Sequence, residues 1–94
     1  MSAIVAPRIF CDFNGGVSED CYGLASMGTT RDLERLGVRL EPGLQVIVYD
    51  YDAFESGEPA WIVADAVIVA DSRGDLVARV DPASFRWEPR SEPG

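Results

Sequence analysis

The densest group of possible ligands in this chain is Asp50, Asp52, Glu55 and Glu58, in the stretch DYDAFESGE. Carboxylate oxygens are hard donors, and four of them on one loop could hold calcium or magnesium. An EF-hand loop, however, needs acidic or amide ligands at alternating positions, a central glycine and a bidentate glutamate closing a loop of about twelve residues. Here only Asp50 and Asp52 alternate. The competing reading is a solvated hairpin tip whose charges discourage edge-to-edge strand pairing. Beside the acids stand Tyr49, Tyr51 and Trp61, large rings that either fill a small core or offer a binding surface, since a rigid ring buries much area for little entropy.

Other chemistries find no support. The chain has no histidine, which removes the usual general base near neutral pH, the histidine-dependent nucleophile systems and the familiar zinc sites together. Cys11 and Cys21 cannot make a four-ligand zinc site alone, and only Arg8 lies near enough in sequence to activate a thiol. Asp12, Asp20, Asp50, Asp52 and Asp65 could supply a catalytic carboxylate pair. With sixteen acids in 94 residues, chance proximity accounts for most such pairs, and a catalytic pair also needs an enclosed pocket. Asn14-Gly15-Gly16 lacks the lysine and following helix of a phosphate loop. The expectation is a protein that is not an enzyme and carries no cofactor.

Sixteen acidic residues face eight basic ones, all arginine, for a net charge of −8. That balance opposes phosphate backbones and anionic bilayers, so neither nucleic acid nor membrane is an expected partner. The absence of lysine reads as a reflection of genome base composition. No apolar run reaches the length of a membrane span, and MSAIVAPR lacks the basic start and long apolar core of a signal peptide. The expected location is the cytoplasm, where both cysteines remain thiols.

Residues 44–81 carry three extended apolar segments, LQVIVYDYD, WIVADAVIVAD and LVARVD, separated by ESGEP and SRGD, which is the pattern of a β-meander. Gly74 suits the left-handed position of a three-residue loop that pairs Ile68 with Ala78 and Ala66 with Val80. Ile62, Ala64, Ala66, Ile68, Ala70, Leu76, Ala78 and Val80 then share an inward face. With Ser56-Gly57 as the first tip, Ile47, Tyr49 and Tyr51 join them, leaving Val46, Val48, Val63, Val67, Val69 and Val77 outside; a slip of one residue exchanges Val46 and Val48 for the tyrosines. Upstream, 8–13 (RIFCDF) and 17–26 read as a hairpin about Asn14-Gly15-Gly16. A helix over 30–36 follows, capped by Thr29 or Thr30 and stopped by Gly37. Phe85 and Trp87 precede a tail that reads as disordered, so 1–94 is one domain with flexible termini at 1–7 and 88–94.

The fold class is therefore mainly β: a small antiparallel barrel or curled meander of about five strands with one short helix near 30–36. RDLERLG, LEPGLQVIVYD and VADAVIVAD, over about residues 30–81, resemble a group of small uncharacterised bacterial proteins with an SH3-like small barrel. The resemblance implies a fold and no activity. Both faces of the meander are apolar in either register, whereas a sheet with one wet face alternates cleanly. Something must cover one of them. The functional expectation is a non-enzymatic protein-interaction module that self-associates as a homodimer, or binds another protein, through an apolar strand surface including Tyr49, Tyr51, Trp61, Val46, Val48 and Val67. The alternative is small-ligand or divalent-cation binding at the acidic tip, residues 50–58.

Overall fold

The computed structural model describes residues 6–90. Its elements are β1 (Arg8–Phe10), β2 (Gly16–Ser18), β3 (Cys21–Gly23), α1 (Met27–Leu36), β4 (Gln45–Ala53), β5 (Pro59–Ala70), β6 (Leu76–Val80), a 3-10 turn at Pro82–Ser84 and β7 (Arg86–Pro89). All seven strands join one sheet in the order β1-β4-β5-β6-β3-β2, with β7 paired to β5. The sheet is not closed into a barrel. Among the described residues no helix is long and apolar enough to cross a membrane.

The meander forms as its turn residues require. Gly74, at φ +84°, closes a loop in which the Asp71 N–H donates to the Asp75 carbonyl at 2.8 Å, and Ile68 pairs with Ala78 and Ala66 with Val80. The other tip is longer than a Ser56-Gly57 turn. Residues 54–58 close through Phe54 N–H to Glu58 O at 2.9 Å, with Gly57 at φ +91°. Ala53 therefore meets Pro59, and the register of β4 moves by one residue. Val46 now opposes Ala66 and Val48 opposes Ala64, so these two valines, 2 % and 0 % exposed, enter the core. Ile47, Tyr49 and Tyr51 turn outward. Around Val46 and Val48 the core comprises Ile9, Cys11, Ala64, Ala66, Ile68, Ala78 and Val80, with Phe13, Tyr22, Leu33 and Phe85 packed against it.

The first hairpin is not formed as its glycines imply. β1 runs parallel to β4, Ile9 opposite Val48, at one edge of the sheet. β2 and β3 pair with each other and join through β6 at the other edge. Residues 11–15 cross between these edges beneath the core, so Phe13 meets Tyr22 at a 5.2 Å ring distance and the Gly23 N–H reaches the Gly15 carbonyl. The turn at Asn14-Gly15 is stabilised locally by the Asp12 side chain, which accepts from the Asn14 N–H.

Helix α1 starts at Met27, earlier than expected, because Ser26 is its N-cap and accepts from the Thr29 N–H. Thr29 is thereby free for another task. Parallel pairing aims the Phe10 N–H and C=O away from β4, and the helix receives both: Phe10 N–H donates to Asp32 Oδ2 at 2.9 Å, and Thr29 Oγ1 donates to Phe10 O at 2.6 Å. Thr29 and Asp32 are the two buried polar residues among those described. The helix thus substitutes for a missing strand along β1, an arrangement that also protects a sheet edge.

The tail likewise departs from expectation. Glu88 and Pro89 lie in β7, paired with Trp61 and Ala60, rather than in a flexible terminus. β7 reaches β5 because β5 is twelve residues long and changes partner along its length, β7 flanking its first part and β6 its second. The crossing point is Asp65, whose N–H donates to Ser84 Oγ at 2.8 Å and whose carbonyl accepts from the Asp81 N–H at 2.9 Å. Residues 1–5 and 91–94, also expected to be flexible, lie outside the described residues.

Close approach of α1 to β1 explains Gly28. A Cβ there would lie 2.7 Å from Phe10 Cδ1 and 2.9 Å from Phe10 Cγ, too near the root of the side chain for the ring to swing aside. Gly28→Ala should therefore cost about 1–3 kcal/mol of stability, the usual overpacking penalty, seen as a lower denaturant midpoint. The opposite sign would apply to an open helical position, where alanine gains roughly 1 kcal/mol over glycine.

Candidate functional site

The outward face of β1, β4, β5 and β7 gathers four aromatic rings into a closed circuit. Phe10 lies 5.8 Å from both Tyr49 and Tyr51, and Trp61 lies 5.3 Å from Tyr49 and 5.0 Å from Tyr51. Strand alternation places them together: Phe10 opposes Tyr49 across the parallel ladder, and Tyr51 opposes Trp61 across the antiparallel one. Arginines lie over the rings. The Arg8 guanidinium is 5.5 Å from the Tyr49 centroid, and that of Arg90 is 5.2 Å from Tyr51 and 5.3 Å from Trp61. Arg90 is fixed by donating to the Asp52 carbonyl at 3.2 Å, while its buried Nε finds no acceptor among the described residues.

Between the end of α1 and β7 this face opens into a cleft of about 510 Å³. Tyr49 and Trp61 contribute to it, with Arg8, Arg35 and Leu36 on one side and Glu88 on the other. Arg8 donates to Glu88 at 2.9 Å, and Arg35 to Asp32 at 3.3 Å. Tyr51 stands at the outer end of the platform, 60 % exposed toward the hairpin end of the sheet's longest antiparallel pair.

Tyr49 ties the platform to the helix, its hydroxyl donating to Asp32 Oδ2 at 2.5 Å. Burial, and after it the neighbouring Asp32 carboxylate, push the Tyr49 phenol up to about 12, so it keeps its proton and acts as a donor. On Asp32 burial works upward, but donation from Tyr49, Phe10 N–H and Arg35 outweighs it and holds the carboxyl below its usual 3.8. The site is thus built on an ionised acid beside a protonated phenol.

Among the residues expected to act, Tyr49, Tyr51 and Trp61 do converge. Val46 and Val48 do not join them, being sealed inside the core by the register of β4. Val67 lies half-buried along a separate open groove of about 830 Å³, with Ile47, Asp65 and Arg79. The acids of the tip go separate ways. Asp50 accepts from Phe13 N–H at 3.1 Å and from Tyr51 N–H at 2.7 Å. Asp52 accepts from the Trp87 indole at 2.7 Å, a bond that, with the Ala53 N–H, holds its carboxyl below the usual range. Glu55 and Glu58 are exposed at the turn. Among the described residues no three histidine, cysteine, aspartate or glutamate side chains stand where they could hold a metal ion.

Cys11 and Cys21 are both free, Cys11 buried and Cys21 half-buried. Burial first, then the charges of Asp50 and Asp12, raise the Cys11 thiol to about 12, which leaves it inert. Arg8, Phe10 and Arg90 belong to the platform but are not legible as site residues in sequence. The alternation in RIF puts Arg8 and Phe10 on one side of a strand, yet only the parallel pairing with β4 brings that side against Tyr49. No family model, curated protein or solved structure matches this chain.

Two outcomes follow for this site. A carboxyl whose pKa is lower folded than unfolded adds stability that is complete above its unfolded value and is lost as the pH falls through its folded value. Urea midpoints measured from pH 5 downward should fall below about pH 3.8, and more steeply in the native chain than in Asp32→Asn, which lacks the ionisable group. Millimolar calcium should leave the melting temperature unchanged, since a specific site would raise it in proportion to occupancy.

Proposed function

We propose that the protein is a non-enzymatic interaction module whose contact surface is the aromatic and arginine platform of β1, β4, β5 and β7, and that it self-associates through that surface. The observation that carries this reading is Tyr51, a large ring 60 % exposed, packed on Phe10 and Trp61 and flanked by Arg90. Tyrosine, tryptophan and arginine are the side chains that concentrate binding energy, because they bury much area with few rotors to freeze. Isolated exposed apolar residues need no partner, but a continuous platform of rings does.

The strand edges favour a face over an edge as the contact. Asp32 and Thr29 occupy the edge of β1, β2 has only three residues, and β7 contains Pro89, which has no N–H to offer an added strand. A two-fold dimer is the simplest assembly that hides one face on each copy. The sequence resemblance of residues 30–81 to SH3-like small barrels agrees with this reading, since that class hosts many binding roles.

Light scattering at micromolar concentration should give about twice the 10.2 kDa chain mass. Tyr51→Glu should return the mass to that of one chain without loss of folded structure by circular dichroism, since the side chain is largely in solvent. Val17→Glu, at an apolar residue 52 % exposed on β2, should leave the mass doubled. A native chain that scatters as a monomer overturns the reading.

A further inference from the structure

We propose that the end of β7, Pro89 with the Arg90 that follows it, is a strap over the Tyr51 and Trp61 rings that a second copy must lift, so that it restrains the self-association it flanks. This rests on the self-association proposed above and adds its regulation.

The place of Arg90 is the first support. Its guanidinium lies over both rings, 5.2 Å from the Tyr51 centroid and 5.3 Å from that of Trp61, on ground that an apolar group of a partner would otherwise take. Among the described residues it forms no ion pair, and its side chain is tied by one bond, to the Asp52 carbonyl at 3.2 Å. The backbone is tied as lightly. Arg90 N–H donates to the Pro59 carbonyl at 3.2 Å, but Pro59 has no N–H with which to return a ladder bond.

The second support is that the closed position leaves a donor unsatisfied. Arg90 Nε is buried without an acceptor, the only such side-chain atom among the described residues. A buried donor with no partner is disfavoured against the same donor in water, so lifting the side chain removes a cost that a fully bonded cover would not carry.

The third is the strand from which the strap hangs. β7 has four residues, pairs with β5 alone and lies off the path of the main sheet. Its ion pairs, Arg8 with Glu88 and Arg86 with Asp65, join side chains about half in solvent, where such pairs contribute little. The end beyond Pro89 can therefore rise without disturbing the core. A surface covered for part of the time binds more weakly in proportion to the fraction that is open.

The test is Arg90→Ala in the full chain, with the dimer dissociation constant taken from light scattering over a concentration series. It should fall by about threefold to tenfold, as expected when a partly closed surface becomes fully open. Removing one arginine takes the net charge from −8 to −9 and adds repulsion between copies, so tightening points to the uncovered rings and not to charge. In a Trp87→Phe background, acrylamide should quench the remaining Trp61 fluorescence more strongly once Arg90 is replaced. If Arg90→Ala loses native circular dichroism, Arg90→Lys, which keeps the stem and the charge but not the planar group, takes its place with the same expected direction. A native dimer with a variant dimer no tighter, or Trp61 quenching that does not rise, overturns the strap and leaves self-association standing. A monomeric native chain beside a dimeric variant supports the strap while overturning self-association of the native chain, and monomers in both overturn both.

Discussion

The structure depends on how one short strand is held. β1 contributes three residues to the sheet and pairs on one side only, so half of its central hydrogen-bonding groups face away from the ladder. Asp32 and Thr29 satisfy those of Phe10, and Asp32 also receives Tyr49 and Arg35. Leaving one such buried group unsatisfied costs about 1–3 kcal/mol. For a domain whose total stability is on the order of 5–15 kcal/mol, that is a large share. The latch thereby adds to the β4 ladder in holding Ile9 and Cys11 in the core and Phe10 beside Tyr49.

The same constraint divides the two apolar faces. A sheet this small cannot leave both in water, and the molecule covers them differently. The inner face is closed by chain: residues 11–15 pass beneath it, and Phe13, Tyr22, Leu33 and Phe85 pack on it. The outer face is covered in part by its own side chains, rings lying on rings and guanidinium groups lying on both. Arginine suits this duty better than lysine, because a planar, weakly hydrated cation stacks on an aromatic face without losing its in-plane donors. The lysine-free composition has no need of a structural cause, but at Arg8 and Arg90 the structure uses what arginine alone provides.

What could be read in advance follows the range of the interactions. The hairpin about Gly74 is local, fixed by a left-handed glycine and a flanking aspartate, and its register and the inward Ala66, Ile68, Ala78 and Val80 follow from the sequence, although Ala70, expected inward, is exposed and Val77, expected outside, is buried. The tip at 54–58 is also local, yet its acidic, glycine-bearing stretch fits loops of different length. A change of one residue reverses which side of β4 faces inward, and so Val46 and Val48 trade places with Tyr49 and Tyr51. The latch and β7 were beyond sequence reasoning for a different reason: they join residues far apart in the chain, 22 between Phe10 and Asp32 and 35 between Trp87 and Asp52. The Asn14-Gly15-Gly16 triplet carries a strong turn signal, but it cannot say whether the chain turns back on its neighbour or crosses to another edge. Pro89 and the charges of EPR read as a tail until β5 proves long enough to accept a second partner.

The platform also shows why a chain this acidic need not present an acidic contact. Glu55 and Glu58, Asp71 and Asp75, and Asp81 lie in loops, while at the platform the acids are matched by arginines, Glu88 with Arg8, Asp65 with Arg86 and Asp32 with Arg35. Strand alternation sets part of that pattern without any special device, because Arg86 and Glu88, two apart on β7, must share a side. Rings supply a surface that gains from losing water, and the arginines determine which approach is electrostatically favoured. Burying Arg90 against apolar groups alone would strand its Nε, which has no acceptor among the described residues, and the cost of stranding such a donor exceeds what one more buried methyl group returns.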